Sequence, residues 1–281
     1  MRLTTKVHDR DVAGMTYVYP VVSRRARGVS VGVNLNPNNA CNWRCVYCQV
    51  PGLVHGKGPP IDLARLEEEL ERMLGALLAG DYMERHVPEG SRRLNDVAFS
   101  GNGEPTSSPQ FAEAIALARE VLARFEGTSQ VKTVLITNGS LVHLEAVQRG
   151  LLELAKTRGE VWFKLDGATD AWLAKLNGDR TGRARRKRNL FLCAGLCPTW
   201  VQTMALAWKG APPPETECAA YLELLGEVLA EGAPLSGVLL YGLARKSWQP
   251  EAPELSPLPA AWMEAFAGRI RGLGLRVELS P

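Results

Sequence analysis

The chain has 281 residues, a hydrophobic share of 46% and a formal net charge of +3. These values describe an ordinary globular chain with a sizeable core. The charge is too small by itself to signal a polyanion partner, and no apolar run approaches the roughly 20 residues that span a bilayer. The N-terminal stretch "MRLTTKVHDRDVAG" is charged and lacks the apolar run of a signal peptide. A soluble, cytoplasmic protein with no membrane partner is expected. Six cysteines are too few for a disulfide scaffold in a chain this long, so a tight cluster of them reads as a metal site.

Short β-rich runs alternate with amphipathic helical stretches. "GVSVGVNLN" (28–36) predicts a strand ending just before three cysteines. "IDLARLEEELERMLGALLAG" predicts a helix, with Leu63, Leu66, Leu70, Met73, Leu74 and Leu77 at helical spacing and Asp62 placed to cap it. "NDVAFSG" (95–101) is a short strand closed by glycine. The helix that follows takes Ser108 as N-cap and Pro109 in its first turn. Phe111, Ile115, Ala118, Leu122 and Phe125 form its core stripe. Strands are then predicted over 131–139, 160–167, 198–207 and 236–244, each followed by a helix, with "LRVELS" as a final strand.

This alternation favours parallel strands with right-handed helical crossovers. The expected fold class is α/β, a partial (β/α)6 TIM-type barrel. Residues 1–27 are expected to form an N-terminal extension packing on the core, and residues 28–281 the core domain. In such a fold, sites lie at the C-terminal ends of the strands.

Cys41, Cys45 and Cys48 follow the first strand of this alternation in the pattern C-x3-C-x2-C. Thiolates suit zinc, copper or iron–sulfur clusters. A closed structural zinc site needs four ligands, and His55 is the nearest lone candidate for the fourth. A cubane cluster held by three cysteines leaves one iron open to a substrate or cofactor.

This spacing, with Tyr47 just before the last cysteine, resembles the signature of the radical S-adenosylmethionine (SAM) superfamily. The resemblance implies that Cys41, Cys45 and Cys48 bind a 4Fe-4S cluster whose fourth iron is chelated by SAM. It implies that an electron from the cluster cleaves SAM to a 5′-deoxyadenosyl radical, which abstracts a substrate hydrogen. A reducing partner such as flavodoxin or ferredoxin would supply the electron. "FSGNGEPTSSP" (99–109) resembles the family's Gly-Gly-Glu motif. Gly101 and Gly103 allow a tight turn and close backbone approach, Asn102 stands where the family has a glycine, and Glu104 would receive the amino group of SAM. Its alternative is an ordinary strand–helix turn.

The remaining strand ends carry further candidates. Asn138 is either a turn residue or a ligand contact. Lys164 and Asp166 are expected on one face of their strand. By resemblance Lys164 serves the SAM carboxylate and Asp166 the ribose; otherwise they form a mutual ion pair. Gln202, on the face of Trp200 and Met204, is read as a ribose or substrate contact, or as a core hydrogen bond. Tyr47 would position the adenine. Cys193, Cys197 and Cys218 read as small buried hydrophobes rather than an auxiliary cluster.

The basic tract from Arg180 to Arg188 is either a solvated loop or a surface for tRNA or another nucleic acid. Arg245 and Lys246 would meet an anionic substrate or merely end a strand. "NACNWRCVYCQV", "FSGNGEPT", "FKLD" and "VQT" resemble iron–sulfur oxidoreductases related to the tRNA wyosine-synthesis enzymes. Those enzymes carry further cysteines before the signature loop, and this chain has none before Cys41, a departure that argues against the wyosine reaction itself. The competing readings are a radical SAM enzyme acting on a peptide or small metabolite, and a non-catalytic zinc or iron–sulfur binding module.

Overall fold

The computed structural model describes Leu3, residues 14–23 and residues 28–281. Of the expected N-terminal extension, residues 1–2, 4–13 and 24–27 lie outside the described residues. The main sheet has eight strands that lie side by side in chain order. They are β1 (Val18–Ser23), β2 (Gly28–Val33), β3 (Leu94–Phe99), β4 (Lys132–Thr137), β5 (Gly159–Lys164), β6 (Thr199–Ala205), β7 (Leu235–Gly242) and β8 (Val277–Ser280). From β2 to β8 every pairing is parallel. The crossovers are α1 (Leu63–Leu78), α2 (Phe111–Ala123), α3 (Glu145–Ala155), α4 (Asp170–Asn177) with α5 (Arg183–Leu196), α6 (Glu215–Ala230) and α7 (Ala260–Arg271).

Side chains alternate between the two faces of the sheet. Val97, Phe99, Leu135, Val161, Phe163, Val201, Val238 and Leu240 point outward into one core shared with the helices. Their neighbours Ala98, Val134, Trp162, Trp200 and Leu239 form a separate inner cluster contributed by β3 to β7. Five successive strands pool these side chains on the inner face of the sheet, in keeping with the expected half-barrel. Trp162 and Trp200 stand in register on β5 and β6 and fill its interior below the strand ends.

β1 is an addition to the sequence reading. It pairs antiparallel with β2 at the sheet edge, and buried Glu69 of α1 accepts the Tyr17 and Val18 amides at 2.7 and 3.1 Å. Pro20 hid it, since proline cannot serve a central strand but is tolerated at an edge.

Asp62 caps α1 through the Arg65 amide, as expected. Ser108 does not cap α2. That helix begins at Phe111 after Gln110, because a short 3-10 turn over Pro105–Ser107 displaces its start, and the Ser108 hydroxyl is buried without a hydrogen-bond partner among the described residues. The basic tract is not a loop throughout, because Arg183 opens α5. Arg183 pairs with Glu227 at 2.8 Å and Lys187 with Glu231 at 2.5 Å. Buried Arg186 bridges Asp170 and Asp179 at 2.6 and 3.0 Å. Interleaved cations masked the helical period, since their partners come from α4 (Asp170), the turn after it (Asp179) and the C-terminal end of α6 (Glu227 and Glu231). Cys193, Cys197 and Cys218 are buried in the outer core. Among the described residues, no helix is long and apolar enough to cross a membrane.

Candidate active site

The cysteine loop leaves β2 and crosses the mouth of the half-barrel. Its backbone is fixed by the C-terminus of α4. A helix end leaves its last carbonyls without intrahelical donors, and here the loop supplies them: Arg44 donates to the Asn177 carbonyl and Val46 to that of Leu176, both at 2.9 Å. Gly178, at φ 67, closes α4 in the left-handed region that glycine adopts without strain. On the other side, Ser247 Oγ donates to the Val46 and Cys48 carbonyls at 2.7 and 3.1 Å, and the Trp248 amide donates to Cys48.

The loop, the GNGE turn and the strand ends enclose a cavity of about 270 Å³. Cys41, Cys45, Cys48 and Tyr47 line one wall. Gly101, Asn102, Gly103 and Glu104 line another, and Asn138, Lys164 and Gln202 lie along the strand ends between them. Residues up to 161 positions apart in sequence thus share one space. Asp166 does not line it. β5 stops at Lys164, so the alternation that would put Asp166 beside Lys164 ends there. The Asp166 carboxylate turns beneath the cysteine loop instead, fully buried. It accepts the Met204 amide and the Asn177 side-chain amide, each at 2.8 Å, and the Tyr47 hydroxyl.

The two glycines of the turn have a more local reason than ligand approach. A Cβ on Gly103 would fall on the Ala40 carbonyl oxygen, and one on Gly101 on the Asn34 side chain. The turn is therefore packed directly against the strand that leads into Cys41. Asparagines complete this seam. Asn34 Oδ1 accepts the Asn36 and Asn102 amides at 3.1 and 3.0 Å, and Asn102 donates to Asn39 at 2.6 Å. Asn138 donates to Asn42 at 2.7 Å, while its own Oδ1 accepts from Ser140. Asn34, Asn36, Asn39 and Asn42 belong to no motif that marks them, although "NLNPNNACN" (34–42) is visibly dense in asparagine.

Glu104 is buried. Its Oε1 accepts from Thr106 Oγ1 and Thr137 Oγ1, each at 2.6 Å, and Oε2 accepts the Asn138 amide, at 2.7 Å. A carboxylate offers about four acceptor positions, so Oε2 retains room for a further donor from the cavity. Burial raises the Glu104 pKa despite these hydrogen bonds. Burial also opposes the charge on Lys164, but the Asp166 carboxylate and the Tyr241 and Cys45 groups outweigh it and hold the ammonium protonated. Lys164 Nζ donates to the Tyr47 hydroxyl at 2.6 Å. Gln202 also lines the cavity, and its buried Nε2 has no hydrogen-bond partner among the described residues.

Burial pushes the Cys41 thiol up to about 12 and the Cys45 thiol to about 11. Buried thiols of this kind become thiolates when a metal replaces their protons. Among the described residues, no three His, Cys, Asp or Glu side chains converge as ligands of a single ion must. His55 pairs with Cys41 in backbone register, but it is exposed and does not line the cavity. Three thiols sharing one wall without a common focus suit a multi-iron cluster, in which each iron takes its own thiolate, better than a closed zinc site.

The model of the radical SAM superfamily matches residues 35–207, the stretch that contains the cysteine loop, the glycine–glutamate turn and the parallel strands β3 to β6. The chain belongs to the radical SAM superfamily. Its fold is similar to that of a radical SAM methyltransferase from Sphaerobacter thermophilus, with a TM-score of 0.58 at 16% identity over 90% of this chain and 66% of that one. It is also similar to TYW1 in a structure with a bound lysine–pyruvate adduct, with a TM-score of 0.55 at 15% identity over 88% and 74%. At such identities the likeness is one of fold. A UPF0026 protein of Helicobacter pylori is 33% identical over 48% of this chain and 38% of its own length. The UPF0026 protein MJ1312 of Methanocaldococcus jannaschii is 24% identical over 58% and 44%. The chain therefore spans well under two thirds of the curated relatives it matches.

Proposed function

We propose that this radical SAM chain binds a 4Fe-4S cluster and SAM in the described cavity and generates a radical for hydrogen abstraction. The observation that carries the reading is that Cys41, Cys45, Cys48 and Glu104 line one cavity although the turn lies more than 50 residues beyond the loop. Bound there, the cluster would supply the electron that cleaves SAM, taken from a reducing partner such as flavodoxin or ferredoxin.

The chain's own residues bind, orient and exclude. Cys41, Cys45 and Cys48 hold the cluster. Glu104 Oε2 takes the methionine ammonium as a charge-assisted partner. The Lys164 ammonium, already charged, faces the carboxylate. The unpartnered Gln202 Nε2 donates to a ribose hydroxyl. Tyr47, clamped between Asp166 and Lys164, fixes the loop against which the adenine lies. Asn138 acts through its backbone amide on Glu104, because its side chain is taken up by Asn42 and Ser140. Asp166 serves the site as an anchor rather than a ribose ligand. Asp166 holds the Lys164 ammonium charged, which works against the deprotonated amine that nucleophilic attack on a carbonyl would need.

For the substrate, the paired state of Arg183, Arg186 and Lys187 favours a peptide or small metabolite over a nucleic acid bound by this tract. Anaerobic reconstitution with iron and sulfide, followed by dithionite and SAM, is expected to release 5′-deoxyadenosine. An intact cluster with no release refutes the enzymatic reading. Retention on tRNA that falls steeply with salt and with neutralisation of the exposed Arg180 and Arg188 would overturn the substrate preference.

A further inference from the structure

The last residue of α4 is placed against the cysteine loop in a way the roles above leave unused. Asn177 has no exposed surface. Its Nδ2 lies 3.2 Å from Cys45 Sγ, 2.8 Å from Asp166 Oδ2 and 3.5 Å from the Tyr47 hydroxyl, while its Oδ1 is buried without a partner among the described residues. The amide orientation follows from the neighbours: reversing it would set a carbonyl oxygen against a carboxylate and strand the donor. α4 is itself held at both ends. Glu217 of α6 accepts the Ala168 and Thr169 amides and the Thr169 hydroxyl at its start. At its end the loop amides of Arg44 and Val46 cap it. Asn177 is thus a rigidly mounted donor aimed at one of the three sulfurs.

We propose that Asn177 is a positioning residue for the cluster: its side-chain amide fixes the Cys45 rotamer and, by donating to Cys45 Sγ, raises the reduction potential of the cluster that Cys45 ligates. The inference rests on the cluster reading given above. One-electron reduction adds negative charge to the iron–sulfur unit and its thiolates, and hydrogen bonds to the sulfurs are a main control of how favourable that is. A donor held in place before reduction costs no reorganisation when the electron arrives. Cys41 Sγ receives its contact from the Trp43 backbone amide at 3.4 Å, which no side-chain substitution removes. Cys45 is therefore the ligand whose hydrogen bond a side-chain substitution deletes, together with the one Asn177 gives Asp166.

The test compares wild type with Asn177→Ala and with Asn177→Leu, the second keeping most of the side-chain volume should the first fold poorly. Both retain the backbone carbonyls that cap the loop. After reconstitution and iron and sulfide analysis, the cluster is titrated with dithionite and followed by electron paramagnetic resonance. The expected result is a midpoint shifted to lower potential. A tenfold change in the reduced-to-oxidised ratio would appear as about 59 mV for one electron. Loaded variants whose potentials coincide with wild type overturn the role of Asn177 while leaving the cluster reading intact. A wild-type chain that takes up no iron and sulfide overturns both.

Discussion

Replacing Asp166 by alanine separates an anchor from a ligand contact, and the structure sets the size of the effect. The carboxylate is fully buried. Its removal leaves the Met204 amide without its acceptor at 2.8 Å, leaves Asn177 without its shortest hydrogen bond, and leaves the Tyr47 hydroxyl without its acceptor. It also leaves the Lys164 ammonium, 3.6 Å away and only 16% exposed, without its carboxylate. An orphaned buried donor costs about 1–3 kcal/mol, and breaking a buried ion pair by removing one partner costs about 3–5 kcal/mol. The two overlap in one network, so the expected loss is about 3–5 kcal/mol rather than their sum. That is a large share of the roughly 5–15 kcal/mol that holds a typical domain. Urea unfolding of the metal-free protein, monitored by far-UV circular dichroism, measures it directly. Asp166→Asn, which keeps the volume and one acceptor, is expected to lose less. A loss below about 1 kcal/mol for Asp166→Ala, together with weakened SAM binding, would refute the anchoring role and restore Asp166 to the ligand.

Gly103→Ala is expected to displace the turn from Ala40, costing about 1–3 kcal/mol as an overpacked site and lowering iron uptake per chain on reconstitution. For Glu104, burial raises the folded-state pKa, so deprotonation is penalised in the empty cavity and the penalty grows as pH rises through that pKa. An ammonium ligand needs the carboxylate, so SAM affinity measured by calorimetry on the reconstituted protein is expected to rise with pH across the same range. In Glu104→Gln that dependence should vanish along with most of the affinity. Arg186→Ala strands buried Asp179 and is expected to cost about 3–5 kcal/mol in urea, whereas Arg188→Ala, at an exposed position, should change stability by less than about 0.5 kcal/mol.

What the amino-acid order alone determined was the part governed by local periodicity and spacing. Seven parallel strands and their principal crossovers follow from apolar runs that alternate with 3.6-period stripes such as that of α1, where Leu66, Leu70, Met73, Leu74 and Leu77 are all buried. The cysteine triplet and Glu104 were legible because their chemistry sits in short motifs. Tertiary structure decided everything that depends on partners remote in the chain. Asp166 looks like a cavity residue until β5 ends two positions earlier and the carboxylate meets Tyr47, 119 residues away. The basic tract looks like a solvated loop until α6 supplies Glu227 and Glu231. Asn177 carries no sequence signal at all, since its meaning comes from Cys45, 132 residues distant. Hydrophobic period reports which face of an element is buried; it carries no information about which polar groups meet there, because those contacts are fixed only when the strands take their order in the sheet.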